Sequence, residues 1–335
     1  MTTLVTGSAG FIGFHLSRRL LERGETVVGL DNLNAYYDPT LKASRLAILE
    51  AYKGYRHAKL DLADREGVAA LFEDARPDVV VSLAAQAGVR YSLESPRTYV
   101  DSNVVGFLNI LEGCRSVQPR HLVFASTSSV YGANAKMPFN VHDHATHPIT
   151  LYAATKLANE GMAHAYAHLF GIPSTGFRFF TVYGPWGRPD MALFKFTGAI
   201  LKGEPIDVFG EGKMQRDFTY IDDIVEGLLA AIDRPPAPNP QWDAMVADAA
   251  TSSAPWRMLN LGASRPEQLM RYIEILEAKL QKKATINFLP MQAGDVARTD
   301  ADTEETRKTL GYAPSTSIEV GVGRFVDWYR EYYGV

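Results

Sequence analysis

The chain has 335 residues, a formal net charge of −4, 46% hydrophobic and 21% charged residues. This length and composition are those of an ordinary globular protein with one large or two moderate domains. The slightly negative net charge does not indicate a nucleic-acid partner held by phosphate neutralisation. A membrane span is not indicated either, because no stretch approaches about 18 consecutive apolar residues. The single cysteine, Cys114, allows no internal disulfide, and the sequence shows neither a CxxC pair nor a signal-peptide pattern. Together these features favour a reducing, cytoplasmic setting.

The first two-thirds of the chain alternates short β-branched runs with longer amphipathic segments. The short runs have few polar interruptions, as in parallel strands covered on both faces, and the longer segments repeat apolar residues at i, i+3 and i+4. This alternation predicts right-handed crossovers and a doubly wound α/β sheet. The predicted strands are TLVTG, TVVGLD, HAKLDL, VVVSLAA, HLVFAST and STGFRFF, and the predicted helices are FHLSRRLLERG, EGVAALFEDARP, TYVDSNVVGFLNILEGCRSV and ATKLANEGMAHAYAHLFG.

The alternation stops after about residue 180. We expect a nucleotide-binding domain over residues 1–178 and a smaller α/β substrate-binding lobe over residues 179–335, allowing for boundary elements exchanged between the two. The second part predicts a helix in MALFKFTGAILKG, a short hairpin in PIDVFGEGKMQRDFTY, a helix in IDDIVEGLLAAID, a long exposed loop over residues 234–256, the apolar run RMLNLG, a helix in QLMRYIEILEAKL, a strand in ATINFLP and a final helix near VGVGRFVDWYREYY.

A glycine-rich stretch, GSAGFIG, joins the first predicted strand to the first helix. Gly7, Gly10 and Gly13 permit a tight turn and let backbone N–H groups approach a pyrophosphate at the helix N-terminus. Asp31 ends the second strand, where a carboxylate binds the adenosine ribose and repels a 2′-phosphate, unless it is merely a turn residue of DNLN. Together these features predict NAD rather than NADP, with Asp61, in KLDL, placed to touch the adenine.

Two further stretches, FASTSSVYG and LYAATK, predict a reaction centre. Tyr152 and Lys156 are four residues apart and project from one face of a helix. A tyrosine of ordinary pKa, about 10, is a poor base at neutral pH, but a nearby cation favours its phenolate. Thr127 ends the FAS strand and is placed to bond that phenol and a substrate hydroxyl. A YxxxK pair alone is common on helix surfaces. Here it follows a glycine loop and a hydroxyl-rich strand end along the chain, and this order predicts that Thr127, Tyr152 and Lys156 form a catalytic trio.

At these residues the sequence resembles a known family, the extended short-chain dehydrogenase/reductases, and within it the nucleotide-sugar epimerases. The resemblance runs the length of the chain, through GSAGFIG, DNLN, LAAQAGVRYS, YVDSNVVGFLNILE, STSSVYG, YAATK, FRFFTVYGPWGRPDMA and QRDFTYIDDIV. The stretches GVRYS and TVYGPWGRPDMA are most similar to the bacterial UDP-glucuronate 4-epimerases.

The resemblance implies a Rossmann-type fold, tightly bound NAD, and three catalytic residues: Tyr152 as base, Lys156 supporting it and binding the nicotinamide ribose, and Thr127. Tyr152 takes the C4 hydroxyl proton while the C4 hydride passes to NAD; the 4-keto sugar then turns over and the hydride returns to its other face, so NAD is regenerated in each turnover. The implied cofactor contacts are Gly7, Gly10, Phe11, Ile12, Gly13, Asp31, Asn32, Asp61, Leu62, Leu83, Ala84, Ala85, Gln86, Asn103, Tyr152 and Lys156.

The sugar is indicated by the hydroxyl cluster. Thr127, Ser128, Ser129 and Thr181 offer neutral donors to the C6 carboxylate of a uronic acid, and Arg188 offers a guanidinium fork or is a solvated loop arginine. Many relatives that resemble the glucose/galactose enzyme carry asparagine at the position of Thr181, which argues against a neutral hexose. A 4-keto uronic acid is a β-keto acid and loses CO2 readily; donors holding its carboxylate near the carbonyl plane would suppress that loss.

The nucleotide end is implied by three arginines and one acid. Arg216 matches the arginine that grips the diphosphate, and Asp295 and Arg298 in AGDVART are expected to line the nucleotide pocket. Arg90 reaches either the phosphates or the sugar, and the sequence leaves both open. A metal is not expected, because the histidines of VHDHATHPIT lie in a loop and the reaction needs no Lewis acid.

The leading prediction is therefore an isomerase that interconverts UDP-glucuronate and UDP-galacturonate. The alternatives are a UDP-N-acetylhexosamine 4-epimerase, a UDP-glucuronate decarboxylase, and a dinucleotide-sensing regulator that would keep the glycine loop but lose the catalytic trio. The decarboxylase would carry an acidic residue that STSSVYG lacks. The resemblance also implies a homodimer through helices around residues 98–115 and 152–170.

Overall fold

The computed structural model describes residues 1–292 and 294–335, and its central element is a seven-stranded parallel sheet. The strands of the protein are β1 (Thr2–Thr6), β2 (Thr26–Asp31), β3 (Tyr55–Lys59), β4 (Val79–Ser82), β5 (His121–Thr127), β6 (Ser174–Phe179), β7 (Thr181–Tyr183), β8 (Ile206–Phe209), β9 (Gln215–Tyr220), β10 (Trp256–Leu261), β11 (Pro266–Gln268) and β12 (Ile286–Leu289). The large sheet has the order β10-β6-β5-β4-β1-β2-β3 with every pair parallel. The predicted doubly wound α/β sheet is confirmed.

Helices cover both faces of this sheet, because successive side chains of a strand point to opposite sides. Leu4 and Val5 are neighbours in β1, yet they belong to two separate apolar cores. The helices are α1 (Phe11–Glu22), α2 (Pro39–Glu50), α3 (Arg65–Ala75), α4 (Tyr91–Glu94), α5 (Pro96–Tyr99), α6 (Gly106–Val117), α7 (Leu151–Phe170), α8 (Ala192–Lys202), α9 (Ile221–Ile232), α10 (Leu269–Leu280), α11 (Glu304–Leu310) and α12 (Ile318–Tyr333). None of them, in the described ranges, is long and apolar enough to span a membrane.

The helix that carries the predicted YxxxK pair is firmly bounded at both ends. The Thr150 hydroxyl accepts a hydrogen bond of 3.2 Å from the Ala153 N–H, which caps the N-terminus of α7. Gly171 ends the helix in the left-handed region, at φ 67°, where glycine carries no steric penalty. Tyr152 and Lys156 therefore lie in the first turns of a well-defined helix.

The hairpin predicted within residues 205–220 is wrong. β8 pairs in parallel with β12, whereas β9 pairs antiparallel with β11 and in parallel with β7. A short turn, Gly210–Gly212, carries the chain from one small sheet to the other. The error arises because the partner of β8 lies about 80 residues further along the chain, beyond the reach of local patterning.

One strand beyond residue 178 returns to the large sheet, in line with the expectation that elements near the domain boundary can be exchanged. β10 forms its edge next to β6, in parallel register from Trp256 to Leu261. The division of the chain into domains at residue 178 stays a prediction. The segment over residues 234–256 has one short 3-10 turn, Ala244–Val246, before β10 begins.

Candidate active site

A cavity of about 1050 Å3 lies where the carboxyl ends of the sheet strands face the second part of the chain. Ligands of doubly wound sheets bind at this edge. Its wall includes most of the predicted site residues: Gly7, Gly10, Phe11, Ile12, Gly13, Asp31, Asn32, Asp61, Leu62, Leu83, Ala84, Ala85, Gln86, Arg90, Thr127, Ser128, Ser129, Tyr152, Lys156, Thr181, Arg188, Arg216 and Asp295. FASTSSVYG and LYAATK therefore open into one space with the glycine loop.

The glycine loop has no room for side chains at its three glycines. Gly7 has a φ of +72°, and a Cβ there would lie 3.0 Å from the backbone of Ala84. A Cβ at Gly10 or Gly13 would lie 2.9 or 2.1 Å from the carbonyl oxygen of Gly7. No side chain caps α1, which begins at Phe11, so its first N–H groups are left for an anionic ligand. This cradle fits the pyrophosphate of a dinucleotide.

The end of β2 provides a carboxylate for a ribose. Asp31 is buried, and it accepts a hydrogen bond of 2.9 Å from the Leu33 N–H. The Lys42 ammonium lies 3.5 Å from the Asp31 carboxylate, and the Asn32 amide donates a hydrogen bond of 2.7 Å to Asp61. The sequence prediction missed Lys42 together with α2, although Asp38 caps this helix and Pro39 begins it, which is a helix-start signal.

Asn103 lies outside the cavity wall and orders it from behind. It belongs to a π-helical turn, Val100–Val105, a geometry that is frequent at functional sites. Its side chain accepts from the Gln86 N–H at 2.8 Å and donates to the Gln86 carbonyl at 3.0 Å. Its carbonyl accepts from Asn159 at 2.6 Å, and Asn159 accepts from the Lys156 ammonium at 2.8 Å. One network thus fixes the end of β4 and the lysine.

Tyr152 and Lys156 are perturbed in opposite directions. Burial lowers the pKa of Lys156 to about 8, and the negative charge of Glu160 opposes this shift. Burial raises the pKa of Tyr152, while the charge of Arg188 and a hydrogen bond with Thr127 act to lower it. Lys156 is not among the groups that shift the pKa of Tyr152: desolvation prevails and the cation that opposes it is Arg188, so the supporting role of the Lys156 ammonium stays a prediction.

Hydroxyls cluster at the end of β5. Thr127 caps the 3-10 turn Ser128–Tyr131, accepting from the Ser129 N–H and donating to the Ser129 hydroxyl, both at 3.2 Å. The guanidinium of Arg188 makes two hydrogen bonds to Asp190, at 3.0 and 2.5 Å. Two N–H groups of the Arg188 guanidinium are thus already bonded to Asp190, and its remaining N–H groups are the ones available to a ligand.

A buried ion pair behind the hydroxyl cluster escaped sequence reasoning. Glu160 and Arg178 have side chains only 6% and 3% exposed, and their closest atoms lie 2.8 Å apart. Glu160 also accepts a hydrogen bond of 2.5 Å from Ser126, the residue before Thr127. An acid one turn after Lys156 looks like a solvated helix residue, and Arg178 stands inside an apolar strand pattern, so neither signal was visible.

The predicted nucleotide end contains a salt bridge and an aromatic contact. Arg90 lies 3.0 Å from Asp295, with its guanidinium 4.7 Å from the centre of the Phe209 ring. Burial lowers the pKa of Arg216, with Asp295 opposing the shift. Arg298 is exposed, pairs with Asp300 at 2.8 Å and lies outside the cavity wall, so its contact with a nucleotide stays a prediction.

The described residues contain no group of three His, Cys, Asp and Glu side chains that could hold a metal ion. His142, in the three-histidine loop, contacts Asp248 at 2.8 Å.

A doubly wound parallel sheet, a glycine loop before α1, a hydroxyl at the end of β5 and a Tyr–Lys pair on α7 together define the extended short-chain dehydrogenase/reductases. Residues 3–244 match the model of the NAD dependent epimerase/dehydratase family, and the chain belongs to that family.

Relatives and solved structures resemble the chain over its whole length. It is 52% identical over 334 residues to a probable UDP-glucuronate 4-epimerase of Rhizobium meliloti, covering 99% of this chain and 98% of that protein. It is 48% identical to UDP-glucuronate 4-epimerase 4 of Arabidopsis thaliana, covering 99% and 76%. A crystal structure of UDP-glucuronic acid 4-epimerase from Bacillus cereus, in complex with UDP-glucuronic acid and NAD, superimposes with a TM-score of 0.88 at 33% identity, covering 99% and 100%.

Proposed function

We propose that the protein is an NAD-dependent UDP-glucuronate 4-epimerase, which interconverts UDP-glucuronate and UDP-galacturonate. The observation that carries the proposal is one cavity whose wall includes the glycine loop, Thr127, Tyr152 and Lys156. The relatives named above support the uronic acid as substrate.

The residues present fit NAD. Gly7, Gly10 and Gly13 line the cavity without side chains, so a pyrophosphate can approach their backbone, and Asp31 offers its carboxylate to the adenosine ribose. When bound, NAD accepts hydride from the sugar and returns it. Tight retention would let the enzyme turn over with no added cofactor.

Proton transfer falls to Tyr152. Its phenolate removes the C4 hydroxyl proton of the sugar and returns it after the sugar has turned over. Burial alone would keep the phenol protonated, so cationic groups near it must oppose that effect. Arg188 already does so, and Lys156, kept charged at neutral pH by a pKa of about 8, holds the second cation one helical turn away. Thr127 orients the phenol.

The hydroxyls at the end of β5, together with that of Thr181 in β7, would hold the C6 carboxylate. Thr127, Ser128, Ser129 and Thr181 all line the cavity, as does Arg188. Several hydrogen bonds that hold the carboxylate near the plane of the C4 carbonyl would disfavour the geometry in which a β-keto acid loses CO2, with the C5–C6 bond perpendicular to that plane. The UDP group would be held by Arg216 and by the Arg90–Asp295 pair.

The protein is further proposed to be a cytoplasmic homodimer. Val100, Val105 and Leu108 are 42%, 42% and 40% exposed along the π-helical turn and α6, an apolar edge that a second copy would cover. The cytoplasmic location is proposed from Cys114, the one cysteine of the sequence, which is buried as a free thiol.

The direct test mixes purified protein with UDP-glucuronate, adds no cofactor and follows products by NMR. UDP-galacturonate supports the proposal. UDP-xylose would assign a decarboxylase, and turnover of a UDP-N-acetylhexosamine instead would assign the other epimerase.

A further inference from the structure

Arg45 is a fully buried arginine in α2, beside the glycine loop. Its guanidinium donates to the carbonyl of Ala9 and the hydroxyl of Tyr37, both at 2.9 Å, and to the carbonyls of Trp186 and Gly187 at 2.5 and 3.1 Å. Within residues 1–292 and 294–335, none of its hydrogen bonds goes to a carboxylate. Arg45 thus connects three separate segments, and none of its hydrogen-bond partners in the described part of the chain is an anion.

The positive charge of Arg45 favours an anionic ligand at the glycine loop. A buried cation with no hydrogen-bonded counter-ion is unfavourable: burial lowers the pKa of Arg45, and the Tyr37 hydroxyl and the Asp31 carboxylate only partly oppose that shift. The nearby Lys42 and Asp31 pair with each other at 3.5 Å, so they add no net charge. The N-terminus of α1 adds further positive potential. A dianionic diphosphate in the glycine loop would offset this excess.

The segment that Arg45 grips is held at each of three consecutive carbonyls. His15, in α1, contacts the Pro185 carbonyl at 2.9 Å. Burial lowers the pKa of His15 to about 3, so its neutral ring donates that hydrogen bond. Trp186 has a φ of 60°, a left-handed conformation that a bulky residue adopts only when its surroundings enforce it. Its ring packs against Phe14, with centroids 5.5 Å apart.

The residue after this segment is Arg188, which acts on Tyr152. Its positive charge lowers the pKa of the Tyr152 phenol, against the larger effect of burial. Both residues line the same cavity. The position of Arg188 therefore depends on carbonyls that Arg45 holds from the cofactor side.

We infer that Arg45 is a positioning residue that couples dinucleotide binding to the sugar pocket: its charge favours the diphosphate at the glycine loop, and its fork fixes the segment that carries Arg188. The inference rests on the proposed function in taking the dinucleotide as NAD and the pocket as that of a UDP-sugar.

The test compares Arg45→Met and Arg45→Lys with Lys53→Met, which removes an exposed positive charge from the same part of the chain. Three quantities are measured: NAD content after gel filtration, the rise in melting temperature on adding NAD to stripped protein, and KM for UDP-glucuronate. Arg45→Met is expected to bind NAD about tenfold or more weakly, with a smaller NAD-induced rise. Arg45→Lys keeps the charge but cannot span the carbonyls, so it should retain NAD and raise KM several-fold. Lys53→Met should match wild type.

A merely structural role would lower the melting temperatures with and without NAD by the same amount and leave the NAD-induced rise unchanged. That result, or an unaltered KM in Arg45→Lys, would overturn the inference. If Arg45→Met does not fold, the KM of Arg45→Lys still decides. Wild-type protein that holds NAD but leaves UDP-glucuronate unchanged would refute the proposed function instead, since NAD content and melting temperature do not depend on sugar turnover.

Discussion

The carboxylate of Glu160 accepts two hydrogen bonds from the guanidinium of Arg178, at 3.0 and 2.8 Å, in the interior of the protein. Two predicted catalytic residues adjoin this pair. Lys156 precedes Glu160 by one helical turn, and Thr127 follows Ser126, which donates to Glu160 at 2.5 Å. A buried ion pair is weak evidence for stability, because desolvation offsets its Coulombic gain. Its position points to an electrostatic role at the site.

Glu160→Gln should make catalysis more sensitive to alkaline pH. Burial lowers the pKa of Lys156 to about 8, and Glu160 opposes that shift. A lysine is charged below its pKa and loses the charge as pH rises through it. The rate of wild-type turnover should thus fall as pH rises through about 8, and removing the Glu160 charge should move this fall to lower pH. The pH profile of kcat measures the effect.

The single substitution also leaves Arg178 unpaired, which is expected to destabilise the fold by about 3–5 kcal/mol. A double variant, Glu160→Gln with Arg178→Met, removes both charges and should recover part of that stability while its alkaline limb stays below that of wild type. An unmoved limb in a folded Glu160→Gln protein would show that Glu160 does not tune Lys156.

Tyr152→Phe should lower kcat by about 100-fold to 10,000-fold, because it removes the group that transfers the C4 proton. The protein should still fold and retain NAD. Tyr166→Phe is the matched control on the same helix, since its hydroxyl bonds only the surface residue Glu112 among the described side chains. Normal activity in Tyr152→Phe would remove this tyrosine from the reaction.

Gly13→Ala should abolish NAD retention. Its Cβ would lie 2.1 Å from the Gly7 carbonyl oxygen, so the loop must open to accept it. Gly161→Ala adds the same methyl group on α7, where nothing lies within 4 Å of the new Cβ, and should keep full NAD content. Absorbance of the cofactor released from each purified protein gives the comparison. Equal NAD contents would contradict the assignment of the glycine loop.

Thr181→Val should increase UDP-pentose by-products. The substitution keeps the shape of the side chain but removes one donor to the C6 carboxylate of the 4-keto intermediate, so decarboxylation competes better with hydride return. Thr146→Val, at an exposed loop position, should leave the products unchanged. The ratio of UDP-pentose to UDP-galacturonate is read by NMR; a wild-type ratio in Thr181→Val would count against a carboxylate contact.

Leu108→Glu should convert the proposed dimer to a monomer, because it places a charge in the apolar edge formed with Val100 and Val105. Phe288→Glu is the control: it replaces a side chain that is 55% exposed on β12 and should leave the mass of the assembly in solution at that of a dimer. Light scattering after gel filtration separates the two outcomes. A wild-type protein that is monomeric at micromolar concentration would refute the dimer itself.

Local sequence signals predicted the strands β1 to β6 of the large sheet, the glycine loop and the YxxxK helix, because each of these depends on residues close together in the chain. Long-range partners were not predictable in this way. Arg45 bonds carbonyls at positions 9, 186 and 187, and β8 pairs with a strand about 80 residues away. The Glu160–Arg178 pair was invisible for a related reason, since a helix pattern alone cannot show that a charged side chain faces the interior.

Oxidation and re-reduction at C4 within one cavity can be followed with UDP-glucuronate that carries deuterium at C4. The enzyme is given this substrate in ordinary water with no added NAD, and the product is followed by NMR. Transient oxidation at C4 should give UDP-galacturonate that retains the deuterium at C4, because the hydrogen leaves and returns without meeting solvent. Epimerised product that has lost the deuterium would contradict it.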